Sequence, residues 1–354
     1  MKKLFPVILA LLILLTACGK KNPTAEFSPE PPSINSPSAT PEPTPSPEVI
    51  TNPLTGEAIS SDISANRPYA VMLNNLGVAR PQDGISKADI LYEVLAEGNI
   101  TRFEAIFSDI NGVGAIGSMR SSRPYYIELA LAYDAIYVHA GGSDQAYTDI
   151  SAKGVDNIDG VRGAYSGTTF YRDPTRMKYG SEHSLFTTSD KVLACVQSLG
   201  YDTKHSGTFD YGLSFTETPD LGASATPAGT VKVSFEGIKD TNFTYHADTG
   251  LYTGAEYGTD IIDGTTNETV TFKNLLVLYS DGKILDDYGR RAFDLDGSGT
   301  GHFIVNGKTV PIKWSHTGTG SCFKYTLENG TPLELAVGKT YIAIVPTGST
   351  ITMQ

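Results

Sequence analysis

The chain has 354 residues, of which 19% are charged, and its formal net charge is −12. An acidic protein repels phosphate backbones and anionic headgroups, so the charge argues against nucleic-acid binding. The three cysteines include no Cys-x-x-Cys pair, and we expect neither a metal nor a cofactor. Beyond the first fifty residues, the length is sufficient for about two ordinary domains.

The N-terminus is typical of a bacterial lipoprotein signal. Lys2 and Lys3 precede an apolar run at 4–15, which is long enough for a secretory signal and too short to span a bilayer. The sequence Leu-Thr-Ala-Cys that ends at Cys18 resembles a lipobox, in which the cysteine is acylated and becomes the first mature residue. We predict a signal peptide at 1–17 and an anchor in the lipid bilayer through acylated Cys18, on the extracytoplasmic face of the cell membrane. The alternatives are an ordinary secretory signal and an uncleaved anchor helix.

Residues 18–50 are predicted to form a Pro/Ser/Thr-rich linker. The segment 19–50 holds nine of the 20 prolines and has few apolar side chains to bury. Such a composition stays solvated and favours an extended polyproline II conformation. The linker therefore separates the membrane from the folded part of the chain.

The first folded domain is predicted at 51–200, with an α/β or α+β organisation and a mixed sheet. Apolar runs predict strands at 69–73, 90–95, 103–107 and 135–139. Helical periodicity predicts helices at 124–133, 144–152 and 189–199. Strands interleaved with helices are typical of a layered structure.

A connecting segment at 201–228 leads to a mostly β domain, which is predicted at 229–354. Turn-forming pairs at Asp281-Gly282, Asn306-Gly307 and Asn329-Gly330 favour tight hairpins between short strands. The strands are predicted at 230–235, 243–246, 251–252, 275–279, 302–305, 310–314, 323–327 and 341–345.

Two cysteines remain after Cys18 is assigned to lipid. Cys195 lies in a predicted helix, and Cys322 is predicted to lie in a strand much later in the chain. We favour two buried thiols over a disulfide, since free cysteines are among the residues most often buried.

The densest group of polar residues lies in the first folded domain. The segment 117–124 places two arginines and several serines directly before a predicted helix, where guanidinium and backbone N–H groups favour an anion. Other polar residues follow predicted strands, and ligands often bind at strand ends in layered sheets. We predict a cleft for an anionic or polar cell-envelope ligand, lined by Arg80, Arg102, Ser118, Arg120, Ser121, Arg123 and His139. The protein would then be a binding or scaffolding lipoprotein.

The structural alternative for these residues needs no ligand. Serines cap helices, and arginines pair with nearby carboxylates in many proteins without forming a functional site. The carboxylates available for such pairs are Glu93, Glu97, Asp134 and Asp173.

Catalysis and protein docking are the competing functional hypotheses. Glu97, His139 and Ser143 are the candidate catalytic residues of a cell-envelope hydrolase or transferase, with His139 as a base and Ser143 as a nucleophile. The chain has no Gly-x-Ser-x-Gly elbow, and a histidine hydrogen-bonded at a strand end is the competing interpretation of His139. In the third hypothesis, the β domain docks a membrane protein.

The segment 294–299, Asp-Leu-Asp-Gly-Ser-Gly, has acidic residues in the spacing of a calcium loop. An EF-hand loop needs a glutamate at its twelfth position, where this chain has Val305. We interpret the segment as a glycine-rich turn.

A set of segments along the chain carries a resemblance to a known family: 67–72, 79–82, 88–93, 97–98 with 101–102, 117–124, 139–143, 245–252, 273–277, 297–299 and 338–342, with Trp314. Together these segments resemble YerB-like lipoproteins of Gram-positive bacteria. The chain departs from the family pattern in reading Ser-Met-Arg-Ser at 118–121 for Pro-Val-Arg-Ser, Glu-His-Ser at 182–184 for Pro-His-Asn, and Tyr341 for Trp. The resemblance implies the two-domain architecture and the envelope location, and it implies no particular activity.

Overall fold

The structure is a computed structural model that describes residues 49–98, 100–237 and 239–354. The predicted signal peptide at 1–17, nearly all of the predicted linker at 18–50 and Cys18 lie outside the described residues. Within the described ranges, no helix combines the length and the apolar character needed to cross a membrane.

The first half of the described chain alternates strands with helices. Each strand and helix predicted for 51–200 is present, with bounds that differ by two residues at most. The strands are β1 (Tyr69–Asn74), β2 (Ile90–Leu95), β3 (Thr101–Phe107), β4 (Ala115–Gly117), β5 (Ile136–His139), β6 (Asn157–Asp159), β7 (Phe170–Arg172) and β8 (Leu185–Thr188). The helices are α1 (Pro124–Leu131), α2 (Asp144–Lys153), α3 (Ser166–Thr169) and α4 (Ser189–Leu199).

The second half consists of strands and turns, and its described residues contain no α-helix. Its first strands are β9 (Phe215–Thr216), β10 (Thr226–Pro227), β11 (Thr230–Phe235), β12 (Lys239–His246), β13 (Leu251–Glu256), β14 (Thr259–Asp260), β15 (Thr271–Phe272) and β16 (Asn274–Ser280). The later strands are β17 (Gly282–Ile284), β18 (Arg291–Phe293), β19 (Gly297–Val305), β20 (Lys308–His316), β21 (Lys324–Leu327), β22 (Leu335–Ala336), β23 (Thr340–Pro346) and β24 (Ile351–Met353).

One mixed sheet runs through both halves. Its strand order is β10-β20-β19-β16-β23-β2-β3-β1-β5-β6, with β21 paired to β20. The halves meet where β2 and β23 pair in parallel. The predicted fold class is confirmed: a mixed sheet with few helices comes first, and a part made mostly of strands follows.

Both faces of the central strands are covered, which explains their continuous apolar sequence. Helix α1 covers one face, and the hydroxyls of Tyr125 and Tyr126 donate to the carbonyl oxygens of Leu95 and Val94 at 2.7 and 2.9 Å. A second sheet, with the order β14-β13-β12-β11-β24, covers the other face. There, the ring of Phe243 lies 4.7 Å from the ring of Tyr341, measured between centroids.

The predicted turns differ in outcome. Asn306-Gly307 joins the paired strands β19 and β20, and both residues adopt positive φ angles of 51° and 72°, as a tight hairpin requires. At Asn329-Gly330 the chain also turns back, since the N–H of Leu327 donates to Thr331 O at 2.8 Å. The hairpin predicted at Asp281-Gly282 is wrong, because β16 pairs with β19 and β23 whereas β17 pairs with β18. Strand pairing in the central sheet thus overrides a local turn signal.

The two cysteines among the described residues are free thiols, as predicted, but only Cys195 is buried. Cys195 is buried in α4, and the Sγ of Cys322 contacts the carbonyl oxygens of Ala132 and Asp210. Cys322 is half-buried and precedes β21, so its predicted position within a strand is wrong.

Candidate functional site

Several of the predicted site residues meet at one edge of the central sheet. Strands β1, β2 and β5 run in the same direction and end at Asn74, Leu95 and His139. Strand β3 runs the opposite way and begins at Thr101, so Arg102 reaches the same edge. The carboxyl ends of parallel strands are a frequent position for ligands, as the sequence interpretation assumed.

Glu97 pairs with two arginines at this edge. Its Oε2 lies 2.6 Å from Nη2 of Arg102, and its Oε1 forms an ion pair with Arg123. Arg102 also donates from Nη1 to the carbonyl oxygen of Ser121 at 2.6 Å. Arg102 and Arg123 are only 3% and 8% exposed, and burial lowers the pKa of each guanidinium. Arg102 and Arg123 therefore pair with a nearby carboxylate, as the structural alternative expects, but the two arginines share the single carboxylate of Glu97.

Arg120 is differently placed, since no carboxylate among the described residues lies within ion-pair distance of it. Its Nη1 lies 3.4 Å from the carbonyl oxygen of Glu182, and its Nε has no acceptor. Burial lowers the pKa of Arg120 to about 10, and the charge of Arg102 acts in the same direction. Burial and the Arg120 charge also lower the pKa of His183, whose Nδ1 lies 2.9 Å from Nδ2 of Asn74.

Arg80 and Ser118 lie apart from this group. Arg80 donates to the carbonyl oxygens of Glu256 and Asp260 at 2.7 and 2.8 Å, which fastens its loop to the second half of the chain. Ser118 is fully buried, and its backbone N–H donates to Oε1 of Gln82 at 2.6 Å. Local sequence did not indicate that either residue would be used for internal packing.

His139 and Ser143 make contacts that serve the fold. The Nδ1 of His139 lies 2.9 Å from the carbonyl oxygen of Gly141, and its Nε2 lies 3.2 Å from Oδ1 of Asn157. The Oγ of Ser143 accepts from the N–H of Ala146 at 3.2 Å and caps α2. Each of the three catalytic candidates, including the ion-paired Glu97, thus has an identified structural partner.

A small cavity lies between the helices and the hairpin β17–β18, and we call it the arginine pocket. Its volume is about 180 Å³, and it is lined by Arg123, Pro124, Ser143, Gln145, Leu285, Asp286, Arg290 and Arg291. Phe293, whose ring lies 5.2 Å from that of Tyr125, holds the hairpin on α1, and the Gly98 N–H, which donates to Gly289 O at 3.2 Å, fastens the hairpin to the connection between β2 and β3.

The charges of the arginine pocket are not fully balanced. Arg290 pairs with Asp286 at 2.6 Å and Arg291 with Glu236 at 2.8 Å, while Arg123 shares Glu97 with Arg102. This linked group therefore contains four guanidinium groups and three carboxylates. Arg291 is 4% exposed, and the buried Nε atoms of Arg123 and Arg291 have no acceptor. The N-terminus of α2, at Ser143, adds the positive end of a ten-residue helix.

Sequence reasoning identified Arg123 and missed Arg290 and Arg291. The adjacent arginine pair was visible, but it lies far along the chain in a turn-rich segment. No local pattern indicates that this hairpin folds back on α1.

A buried ion cluster joins strands of the two halves. The Nζ of Lys239 forms an ion pair with Glu93 and lies 2.5 Å from Oε1 of Glu256. Burial raises the pKa of Glu256 to about 7, and the charge of Glu93 acts in the same direction. Glu93 does not pair with the site arginines, because it lies opposite Phe103 and so faces away from Arg102.

The other carboxylates proposed as arginine partners also lie elsewhere. Asp134 lies 3.4 Å from Nε of Arg67 and 2.7 Å from Nδ1 of His205. Asp173 accepts from the backbone N–H and the hydroxyl of Thr175, both at 2.8 Å. Of the four carboxylates, Glu97 is the one that pairs with predicted site arginines.

The fold and the pocket define an α+β protein built around one mixed sheet, with an arginine-lined cavity between its helices and a β-hairpin. The chain belongs to DUF3048, a family of proteins of unknown function. The N-terminal domain of that family matches residues 54–202, and its C-terminal domain matches residues 231–342.

Individual relatives agree with this assignment. The chain is 31% identical over 297 residues to "Putative lipoprotein YerB" of Bacillus subtilis (strain 168), which covers 83% of this chain and 86% of that protein. The crystal structure of the YerB protein from Bacillus subtilis matches with a TM-score of 0.72 at 29% identity, and the match covers 86% of this chain and 99% of that one. The resemblance to YerB-like proteins is confirmed.

Proposed function

We propose that this protein is a lipid-anchored, extracytoplasmic binding protein whose arginine pocket holds an anionic group of a cell-envelope ligand. The observation that carries the proposal is the convergence of Arg123, Arg290 and Arg291 on one cavity. Buried guanidinium N–H groups without acceptors favour a ligand that supplies oxygen atoms.

The dimensions of the pocket limit the ligand group. A cavity of about 180 Å³ has room for a phosphate or a carboxylate and no room for a polymer. The rest of a larger envelope molecule would remain outside the pocket. The proposed binding group is therefore a terminal or pendant oxyanion.

Two observations support the anchor. The N-terminal sequence has the order of a lipoprotein signal and ends in Leu-Thr-Ala-Cys at Cys18. The relative from Bacillus subtilis is also named as a lipoprotein. In cells fed a tagged palmitate, we expect label on the wild-type chain and on Cys195→Ser, and none on Cys18→Ser. Label that persists in Cys18→Ser would contradict the anchor.

Calorimetric titration of the full chain with inorganic phosphate or pyrophosphate tests the pocket. Arg290→Gln removes a guanidinium that is 42% exposed, so the fold should survive, and we expect affinity to fall by about tenfold. Arg162→Gln removes the same charge from an exposed residue that does not line the pocket, and it should leave affinity unchanged. Equal weakening in both variants, or no heat with the wild type, would overturn the proposal.

The contacts of the catalytic candidates favour binding over hydrolysis or group transfer. Ser143 uses its Oγ as a helix cap, and both ring nitrogens of His139 have partners other than Ser143. A serine nucleophile needs a base within hydrogen-bond distance, and these contacts do not provide one.

A further inference from the structure

A second cavity system lies beside the arginine pocket, and we call it the acidic groove. Its larger lobe, about 560 Å³, includes Asp281, Tyr279 and Trp314 in its lining. Its smaller lobe, about 270 Å³, includes Glu128 and His316. Asp294 and Asp296 line both lobes, so the two lobes adjoin each other at these residues.

The described lining of the acidic groove contains four carboxylates and neither lysine nor arginine. Asp281 accepts from the hydroxyl of Thr347 at 2.8 Å, and Asp296 accepts from the N–H of Gly318 at 2.8 Å. Each of these bonds uses one carboxylate oxygen. Glu128 pairs with Lys153 through Oε1, and its buried Oε2 has no partner. The groove therefore offers acceptor oxygens to a ligand.

His316 supplies an independent indication of a ligand. Its side chain is held in place, since the ring stacks on Phe323 at 4.5 Å and Nδ1 lies 2.7 Å from the carbonyl oxygen of Leu295. A carbonyl oxygen only accepts, so Nδ1 carries a proton, and when the ring is neutral the lone pair of Nε2 is free to accept a hydrogen bond. His316 is 2% exposed, and this buried Nε2 has no partner. A buried acceptor left unpaired is costly, and a ligand that donates a hydrogen bond would satisfy it.

The ligand that fits these groups is a cation with N–H donors. No group of three metal-ligating side chains occurs among the described residues, which argues against a metal ion. The acceptors come from separate side chains, whereas a guanidinium group is best matched by one coplanar carboxylate. An ammonium group carries three donors that serve separate acceptors. Aromatic rings of Tyr125, in the smaller lobe, and Tyr279, in the larger, can pack against an alkyl chain.

We propose that the acidic groove binds the primary ammonium group of an alkylamine. The inference is independent of the arginine pocket, because it uses different residues and the opposite charge. Two sources share this chemistry: a lysine side chain in a peptide and a free diamine.

The test is calorimetric titration of the full chain at about 0.15 M salt, where long-range charge attraction is screened. The probes are 1,5-diaminopentane, Nα-acetyl-lysine amide and tetramethylammonium, which has the charge without N–H donors. We expect at least one of the two amines to bind and tetramethylammonium not to bind. Preference for the lysine amide or for the diamine identifies the source.

Two variants locate the binding. Asp294→Asn removes an exposed carboxylate shared by both lobes, and His316→Phe removes the Nε2 acceptor while retaining a ring beside Phe323. We expect each to weaken amine binding by about tenfold or more. Glu217→Gln, which removes one charge from an exposed residue outside the groove, should have no effect.

The outcomes separate the proposal from simple charge attraction. Equal affinity for tetramethylammonium, equal weakening by Glu217→Gln, or absence of heat with both amines would overturn it. Circular dichroism of each variant checks the fold, and Asp294→Asn keeps the test decisive if His316→Phe does not fold.

Discussion

The arginine pocket and the acidic groove are neighbours with opposite charge. Pro124 lines both cavities, and one short segment of chain supplies Arg290 and Arg291 to the first and Asp294 and Asp296 to the second. The sign of the local charge thus reverses across β18. The net charge of −12 does not determine the sign of the charge in either cavity, because the fold places neighbouring residues on different surfaces.

The two cavities also differ in how their charges are supported. Arg102 and Arg123 are buried and depend on Glu97, whereas Asp294 and Asp296 are exposed. Loss of a buried ion-pair partner leaves a desolvated charge, and loss of an exposed carboxylate leaves none. We therefore expect loss of Glu97 to alter stability and loss of the exposed carboxylates of the acidic groove to alter binding alone.

The largest effect is expected from Glu97→Gln. It leaves the buried guanidinium groups of Arg102 and Arg123 without a counter-charge, which should lower the free energy of unfolding by about 3–5 kcal/mol. Urea denaturation measures the difference. Asp286→Asn, which removes the carboxylate partner of the more exposed Arg290, is the matched control and should cost much less. Similar losses of unfolding free energy in both variants would contradict the expected difference between the buried and the exposed ion pair.

The next effect concerns the buried cluster between the halves. The pKa of Glu256 is about 7 in the folded chain and about 4.5 when unfolded, so the folded state binds the proton more tightly. This contribution to stability is complete below pH 4.5 and is lost as the pH rises through 7. Glu256→Gln stays neutral, so its stability relative to the wild type should rise across that window, by about 3 kcal/mol at most.

Urea denaturation of both proteins at a series of pH values provides that measurement. The difference between the two proteins isolates Glu256 from other titrating groups. Glu217→Gln, an exposed change, should keep the wild-type pH profile. A difference that stays flat between pH 4.5 and 7 would contradict the raised pKa.

A smaller effect is expected from Ser143→Ala. The change removes the N-cap of α2 and should lower the free energy of unfolding by about 1 kcal/mol. Ser143→Asn retains a capping oxygen and should restore most of the loss, as thermal denaturation can show. If the alanine variant kept full stability, the structural role of Ser143 would be wrong.

The smallest effect is expected from Asp294→Asn. The side chain is exposed and has no ion-pair partner among the described residues, so the free energy of unfolding should change by less than about 0.5 kcal/mol. The same urea measurement applies. A loss as large as that of Glu97→Gln would show that the groove, like the pocket, supports the fold.

Much of the first half was predictable because its elements carry strong local signals. The apolar run of β2 and the periodic apolar pattern of α4 are each long enough to predict the element from the sequence, and Ser143 precedes α2 as a cap. Strands β4 and β6 have only three residues each, which is too short for a periodic pattern. Strand β19 begins five residues before the predicted strand, because pairing with β20 recruits the glycine-rich segment from Gly297.

The candidate site was predictable only in part. The grouping of Arg102, Arg120, Ser121 and Arg123 followed from strand ends and a helix start, which are local features. The partners of these residues depend on the direction in which each side chain leaves the sheet. One position separates Glu93, which faces the second sheet, from Val94 on the other face.

By itself, the sequence determined the longer elements of the first half, the mostly β character of the second half and the family of the chain, because periodicity and motif order are properties of neighbouring residues. Only the tertiary structure decided that β23 joins β2, that Arg290 and Arg291 meet Arg123, and that the acidic groove lies beside them. These contacts link residues far apart in the chain. They form because burying both faces of one sheet brings such residues together, and no local pattern records that pairing.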